Sequence, residues 1–226
     1  MRTKVVIFLS VLLAIASLSS AAYVGMTDSE FTPHYRRQEN TNWCWAACAE
    51  MALSSSGVNI PQTTLVQVAN NGNISNAPGF PPQMIMLTNN LFTQPAGHAA
   101  VVSGQMVQGA IIPTVLYNHL KRKKPVIIEY NYGGGTGHAI VLIGMDYEIV
   151  NHMILIKTMY IFDPFSYAQV PNPWGGYSLQ PDNTKIRKSY GFYPTPGNTP
   201  TLPTFPQIVP FPGVIQNMIM IEGTTL

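Results

Sequence analysis

The chain holds just two cysteines, Cys44 and Cys48, four positions apart in the run Cys44-Trp45-Ala46-Ala47-Cys48-Ala49-Glu50-Met51-Ala52-Leu53. That run reads as a helix, with Asn42 as candidate N-cap and Gly57 as its stop. A bridge between cysteines one helical turn apart would close a very short loop in strained geometry and add little stability. An apolar core must therefore hold the fold, and at least one cysteine needs a reason other than cross-linking. The composition supplies the core: of 226 residues, 46% are hydrophobic and 10% are charged. Apolar and aromatic residues recur along the whole chain, which excludes disorder. A formal net charge of +2 gives no electrostatic footprint for a nucleic-acid or acidic-surface partner.

The N-terminus reads as an export signal. Arg2 and Lys4 precede an apolar stretch over residues 5–18, and Ser19-Ser20-Ala21-Ala22 offers the small residues of a cleavage site. The stretch is shorter than the roughly 20 residues that span a bilayer. Residues 1–22 are thus expected to be a signal peptide and residues 23–226 one domain, secreted or periplasmic and not bound to a membrane after cleavage.

Further helices are expected over 61–69, 81–90 and 114–121, the first two opened by proline. The Lys121-Arg122-Lys123-Lys124 run reads as cations complementing a helix C-terminus. Residues 70–79 form a loop containing a glycosylation-type triplet, Asn73-Ile74-Ser75. The second half changes character. Runs at 126–130, 138–145, 153–162 and 214–221 are β-branched and aromatic, bounded by Gly, Asn or Pro. The seven prolines of residues 194–213 imply an extended surface crossing. Helices first and strands second predict an α+β protein with two lobes.

A thiol nucleophile needs a populated thiolate, which a helix N-terminus stabilises. Cys44 is predicted in the first helical turn; Cys48, one turn deeper, is suited to the core. The block Gln38-Glu39-Asn40-Thr41-Asn42-Trp43-Cys44-Trp45-Ala46-Ala47 resembles the signature of the papain-like cysteine proteases. In that family a Gln six residues before the nucleophile donates to the oxyanion, and an aromatic residue follows the Cys. The resemblance implies a papain-like two-lobed fold, with a nucleophile helix in the helical lobe and an antiparallel sheet in the other. It also implies Cys44 as nucleophile, Gln38 as oxyanion donor, and a His at the start of a buried strand. Gly137-His138-Ala139-Ile140-Val141-Leu142-Ile143 supplies that His. For the group that orients it, Asp163 in Phe162-Asp163-Pro164 competes with Asn172 in Asn172-Pro173-Trp174-Gly175, and Asp163 is preferred because it ends a strand able to pair beside that of His138. The whole pattern is most similar to bacterial avirulence-type effector proteases and double-glycine leader peptidases, over about residues 36–165. About twenty residues separate the signal from Cys44, too few for a papain-type inhibitory pro-segment.

The resulting expectation is a cysteine peptidase acting on a protein or peptide through Cys44, His138, Asp163 and Gln38. An amidase or acyltransferase with the same triad, or a non-catalytic binding domain on this fold, are the alternatives. His34, His98, His119 and His152 are scattered with no Cys or carboxylate at ligand spacing, so no metal or other cofactor is expected. Mass spectrometry of the protein exported by its host should show an N-terminus close to residue 22 or 23. A secreted product retaining residues 1–20 would overturn the signal reading.

Overall fold

The computed structural model describes residues 21–226 apart from 80, 88, 132–136 and 192–208. The predicted signal and most of the proline-rich crossing therefore lie outside the described residues. In chain order come β1 (Ala22–Gly25), α1 (Asp28–Phe31), α2 (Cys44–Ser54), α3 (Gln62–Ala69), α4 (Pro81–Leu87), β2 (Asn90–Thr93) and β3 (Ala99–Gln108). Then follow α5 (Pro113–Lys121), β4 (Val126–Asn131), β5 (Gly137–Val150), β6 (Met153–Phe162), β7 (Tyr167–Pro171), β8 (Tyr177–Pro181), β9 (Arg187–Gly191), β10 (Val209–Pro210) and β11 (Val214–Thr225).

The apolar runs of the second half become the centre of one large sheet, in the order β10-β9-β6-β5-β4-β11-β3-β2, with β1 pairing along β5. All neighbours are antiparallel except β10 beside β9. Strand alternation sorts the two faces. Ile127, Ala139, Val141, Ile143, Ile219 and Ile221 point to one side, where α2, α3 and α4 add Trp45, Cys48, Met51, Leu53, Leu65 and Met84. Val126, Ile128, Ile140, Leu142 and Met218 join the other core with Leu116 and Leu120 of α5. A few helices packed against a large, mostly antiparallel sheet make this an α+β papain-like fold.

Helix α2 differs from its sequence-based expectation in two ways. It is buried nearly all round, from Trp45 to Ser54 with Glu50 alone partly open, rather than along one stripe. Its N-cap is Trp43, with no side-chain cap, and not Asn42. Asn42 instead donates from Nδ2 to the Asn76 carbonyl at 2.9 Å, which leaves the helix N-terminus uncovered. At the other end Gly57 (φ +82°) closes a Schellman turn: Gly57 N donates to Ser54 O at 2.9 Å and Val58 N to Leu53 O at 3.0 Å. The expected strand at 214–221 runs on to Thr225, and the helix expected over 81–90 ends at Leu87 because β2 begins at Asn90. Strand β3 and the β7–β8 hairpin have no counterpart among the expected elements. β3 is half exposed and interrupted by Ser103 and Gly104, so its apolar run is short.

The basic run after α5 does not form one patch. Arg122 pairs with Glu222, Lys123 with Glu30, and Lys124 donates to Ser56 Oγ. Strand β1 is held to β5 at a point where only glycine fits. Gly25 has φ +130°, and a Cβ there would lie 2.3 Å from the Ile143 carbonyl oxygen. Gly25→Ala is expected to cost about 1–3 kcal/mol through backbone strain and loss of this pairing. A urea midpoint equal to that of the parent protein would refute the constraint.

Candidate active site

The nucleophile helix begins where three loops meet. Trp43 Nε1 donates to the Ser75 carbonyl at 2.9 Å and Trp45 Nε1 to Ala77 O at 3.4 Å, so both indoles face inward and pin the 70–79 loop. They are 2% and 1% exposed, which makes them core residues more than groove walls. Gly79 lies flat against the Trp45 ring, since a Cβ there would come within 2.3 Å of it. From the other side, residues 35–38 are stitched to the strand end that carries Asp163. Tyr35 Oη donates to Asp163 O at 3.0 Å, Gln38 N to Pro164 O at 3.1 Å, and Tyr167 Oη to Gln38 O at 2.9 Å.

These contacts bring Cys44, His138 and Asp163 together. His138 opens β5, and β5–β6 pairing places Phe162 opposite Val141, so Asp163 leaves β6 beside the imidazole. His138 Nε2 meets Asp163 Oδ1 at 2.8 Å. Cys44 and His138 line one pocket, with Asp163 on the far side of the imidazole. Asn172 is elsewhere: it closes the β7–β8 turn by accepting from Trp174 N at 3.0 Å and Gly176 N at 3.1 Å.

Electrostatics favour a charged imidazole. Burial pushes His138 down, but the hydrogen bonds and charges of Asp163 and Cys44 override it and lift its pKa to about 9. Burial likewise pushes Asp163 up. The hydrogen bond and charge of His138, joined by Lys188, hold it below the usual carboxylate range instead. Lys188 Nζ donates to Asp163 Oδ2, and Phe165 N donates to Oδ1 at 2.7 Å, so the carboxylate is satisfied on both oxygens. Cys48 is fully buried; burial first, then the neighbouring acidic groups, push its thiol well up. Cys48 is thereby shielded, whereas Cys44 is partly open.

Gln38 is not arranged as the resemblance implies. It is 2% exposed, and its Nε2 donates to the Asn40 and Thr41 carbonyls, both at 2.8 Å. Both amide protons are engaged in shaping the loop before α2, and among the described residues Oε1 has no hydrogen-bond partner.

A model of the Peptidase_C39 like family matches residues 32–178, a stretch from the end of α1 into β8 that contains Gln38, Cys44, His138 and Asp163. The chain belongs to that family. No curated protein matches it. Membership of the Peptidase_C39 like family supports a cysteine peptidase. In this C39-like chain the sequence reading passed over two groups at the site. Lys188 carries no local signal, because it reaches Asp163 only through β6–β9 pairing opposite Ile161. Glu129 did leave one: it is a lone charge inside the apolar run Val126-Ile127-Ile128-Glu129-Tyr130.

The raised pKa of His138 makes stability pH-dependent in a definite direction. In the unfolded chain the imidazole titrates near 6.5, and in the folded protein near 9. The stabilisation is complete below about 6.5 and is lost as pH rises through about 9. The urea midpoint should fall across that window in the parent protein and not in His138→Ala. Equal falls in both would refute the assignment.

Proposed function

We propose that the protein is an exported cysteine peptidase using a Cys44–His138–Asp163 triad. The observation that carries this reading is the placement of His138 between Asp163 and Cys44 at the uncapped N-terminus of α2. Cys44 is the first residue of this 11-residue helix, at the end where the unpaired N–H groups and the positive end of the dipole lie.

In this mechanism Cys44 Sγ attacks the scissile carbonyl carbon, and the carbonyl oxygen takes up the negative charge. The Cys44 backbone N–H, at the start of the helix, donates to that oxyanion. Gln38 joins it by releasing one of its two loop carbonyls. The C–N bond then breaks as His138 protonates the departing amine, leaving a thioester on Cys44. Water attacks the thioester while His138 takes its proton; the C–S bond breaks, releasing the carboxylic acid and restoring the ion pair. Asp163 holds the imidazole with Nδ1 toward the sulfur throughout. Export places the substrate outside the cytoplasm, among proteins or peptides.

Three measurements test this. In the parent protein Cys44 should alkylate rapidly at pH 5–6 and slow in His138→Ala; a slow reaction with a midpoint near 8.5 in both would make it an ordinary thiol. Cys44→Ala should keep the fold and lose all turnover of denatured-protein substrates, and retained turnover would sink the triad. Gln38→Ala should lower kcat by about 10²–10³ with rapid alkylation preserved. Loss of rapid alkylation in that variant would assign Gln38 to loop support alone.

A further inference from the structure

Beside Cys44 and His138 lies a pocket of about 330 Å³ whose floor is polar where the fold calls for apolar side chains. Strand β4 is central in the sheet, and its α2-facing side carries Ile127, which is completely buried. The next residue on that side is Glu129. It pairs in register with Ala139 on β5 and with Asn217 on β11, so these three form one row across three strands. Asn217 Nδ2 donates to Glu129 Oε2 at 2.9 Å. All three line the pocket, with Trp45 and Pro78 on the opposite wall and Gln216, the residue bulged out of the β4–β11 register, at the rim.

A carboxylate on the inner side of a central strand is costly to bury unless paired, and the donor it meets among the described residues, Asn217, is neutral. Among the described residues no Lys or Arg forms an ion pair with Glu129. Burial also pushes its carboxyl above the usual range, with the Asn217 hydrogen bond opposing. Glu129 is the one carboxylate among the described residues that line the pocket. The small Ala139 side chain leaves the carboxylate accessible, and the apolar walls suit an aliphatic stem ending in a cation.

Resting on the peptidase reading, we infer that this pocket selects substrates by a lysine or arginine side chain near the scissile bond, with Glu129 pairing its cation and Asn217 holding Glu129 in place. Glu129 is a specificity residue of the site, separate from the groups that break the bond.

The test uses fluorogenic peptide amides carrying arginine, lysine, glutamine, leucine or glutamate at each of the three positions before the scissile amide. At one position the parent protein should prefer arginine or lysine over glutamine by at least about tenfold in kcat/KM. In Glu129→Gln that ratio should collapse toward one, and in Glu129→Lys glutamate should become the preferred residue. Because each ratio is taken within one protein, a general loss of activity cancels. The parent ratio needs no variant, so it decides the matter even if both variants fail to fold. A parent protein that cleaves these peptides with no basic preference at any position overturns the inference while sparing the peptidase. If the parent cleaves none, the same peptides are titrated calorimetrically into Cys44→Ala and Cys44→Ala/Glu129→Gln. Tighter binding of basic peptides that disappears with Glu129 would uphold the pocket and sink the peptidase. Equal binding of all peptides, or none, would overturn the pocket.

Discussion

Helix α2 and strand β5 meet at the middle of the molecule, each buried along most of its length. The helix contributes Ala46, Ala47, Ala49 and Ala52, all fully buried, so its backbone can come close to the sheet. Across that contact Ala139, Val141 and Ile143 supply the apolar surface. The depth of burial on both sides makes the placement stiff, because close-packed interiors transmit small displacements instead of absorbing them. Cys44 and His138 stand at the same end of these two elements. Their separation is therefore set by the core, and the loops around them refine it.

The site contains two carboxylates whose surroundings push them in opposite directions. Asp163 faces His138 and Lys188 and accepts a backbone N–H, so its charge is stabilised although it is 2% exposed. Glu129 faces a neutral amide and apolar walls, and among the described residues no Lys or Arg pairs with it. The first arrangement suits a group that must remain ionised and fix an imidazole. The second suits a group whose counter-charge arrives with a ligand. In the proposed peptidase one environment would serve the chemistry and the other recognition, a division that pKa tuning of paired acids makes possible.

The parts of this arrangement that were legible in the sequence share a physical reason. Cys44 and its helix are local, and the strands carrying His138 and Asp163 are long apolar runs with clear ends, so periodicity and turn residues locate them. The α+β papain-like fold followed from those elements and the resemblance around Cys44. Whether Asp163 or Asn172 meets His138 was only a preference in the sequence, because it depends on how β6 pairs with β5. Asn42 looks like a helix cap locally, yet tertiary contacts with Asn76 claim its side chain. Lys188 and Asn217 were invisible for the same reason: each acts on a residue in a different strand, and no spacing along the chain records that register. Glu129 was visible as an anomaly, a charge where the pattern demanded an aliphatic residue, but its meaning required knowing which face of β4 it occupies.

The thiols complete the physical picture. Both cysteines are free, one at the helix start and one fully buried a turn below. In an oxidising compartment a second accessible thiol would be a hazard to a nucleophile, through mispairing or exchange. Burial of Cys48 removes that hazard twice over, by shielding its sulfur and by holding it as a thiol. Without a cross-link, stability must come from apolar area, and the sheet supplies it by packing a core on each face. The same packing that replaces the missing disulfides leaves Cys44 as the one cysteine that is not fully buried, so the economy in cysteines and the chemistry proposed for one of them have a common structural cause.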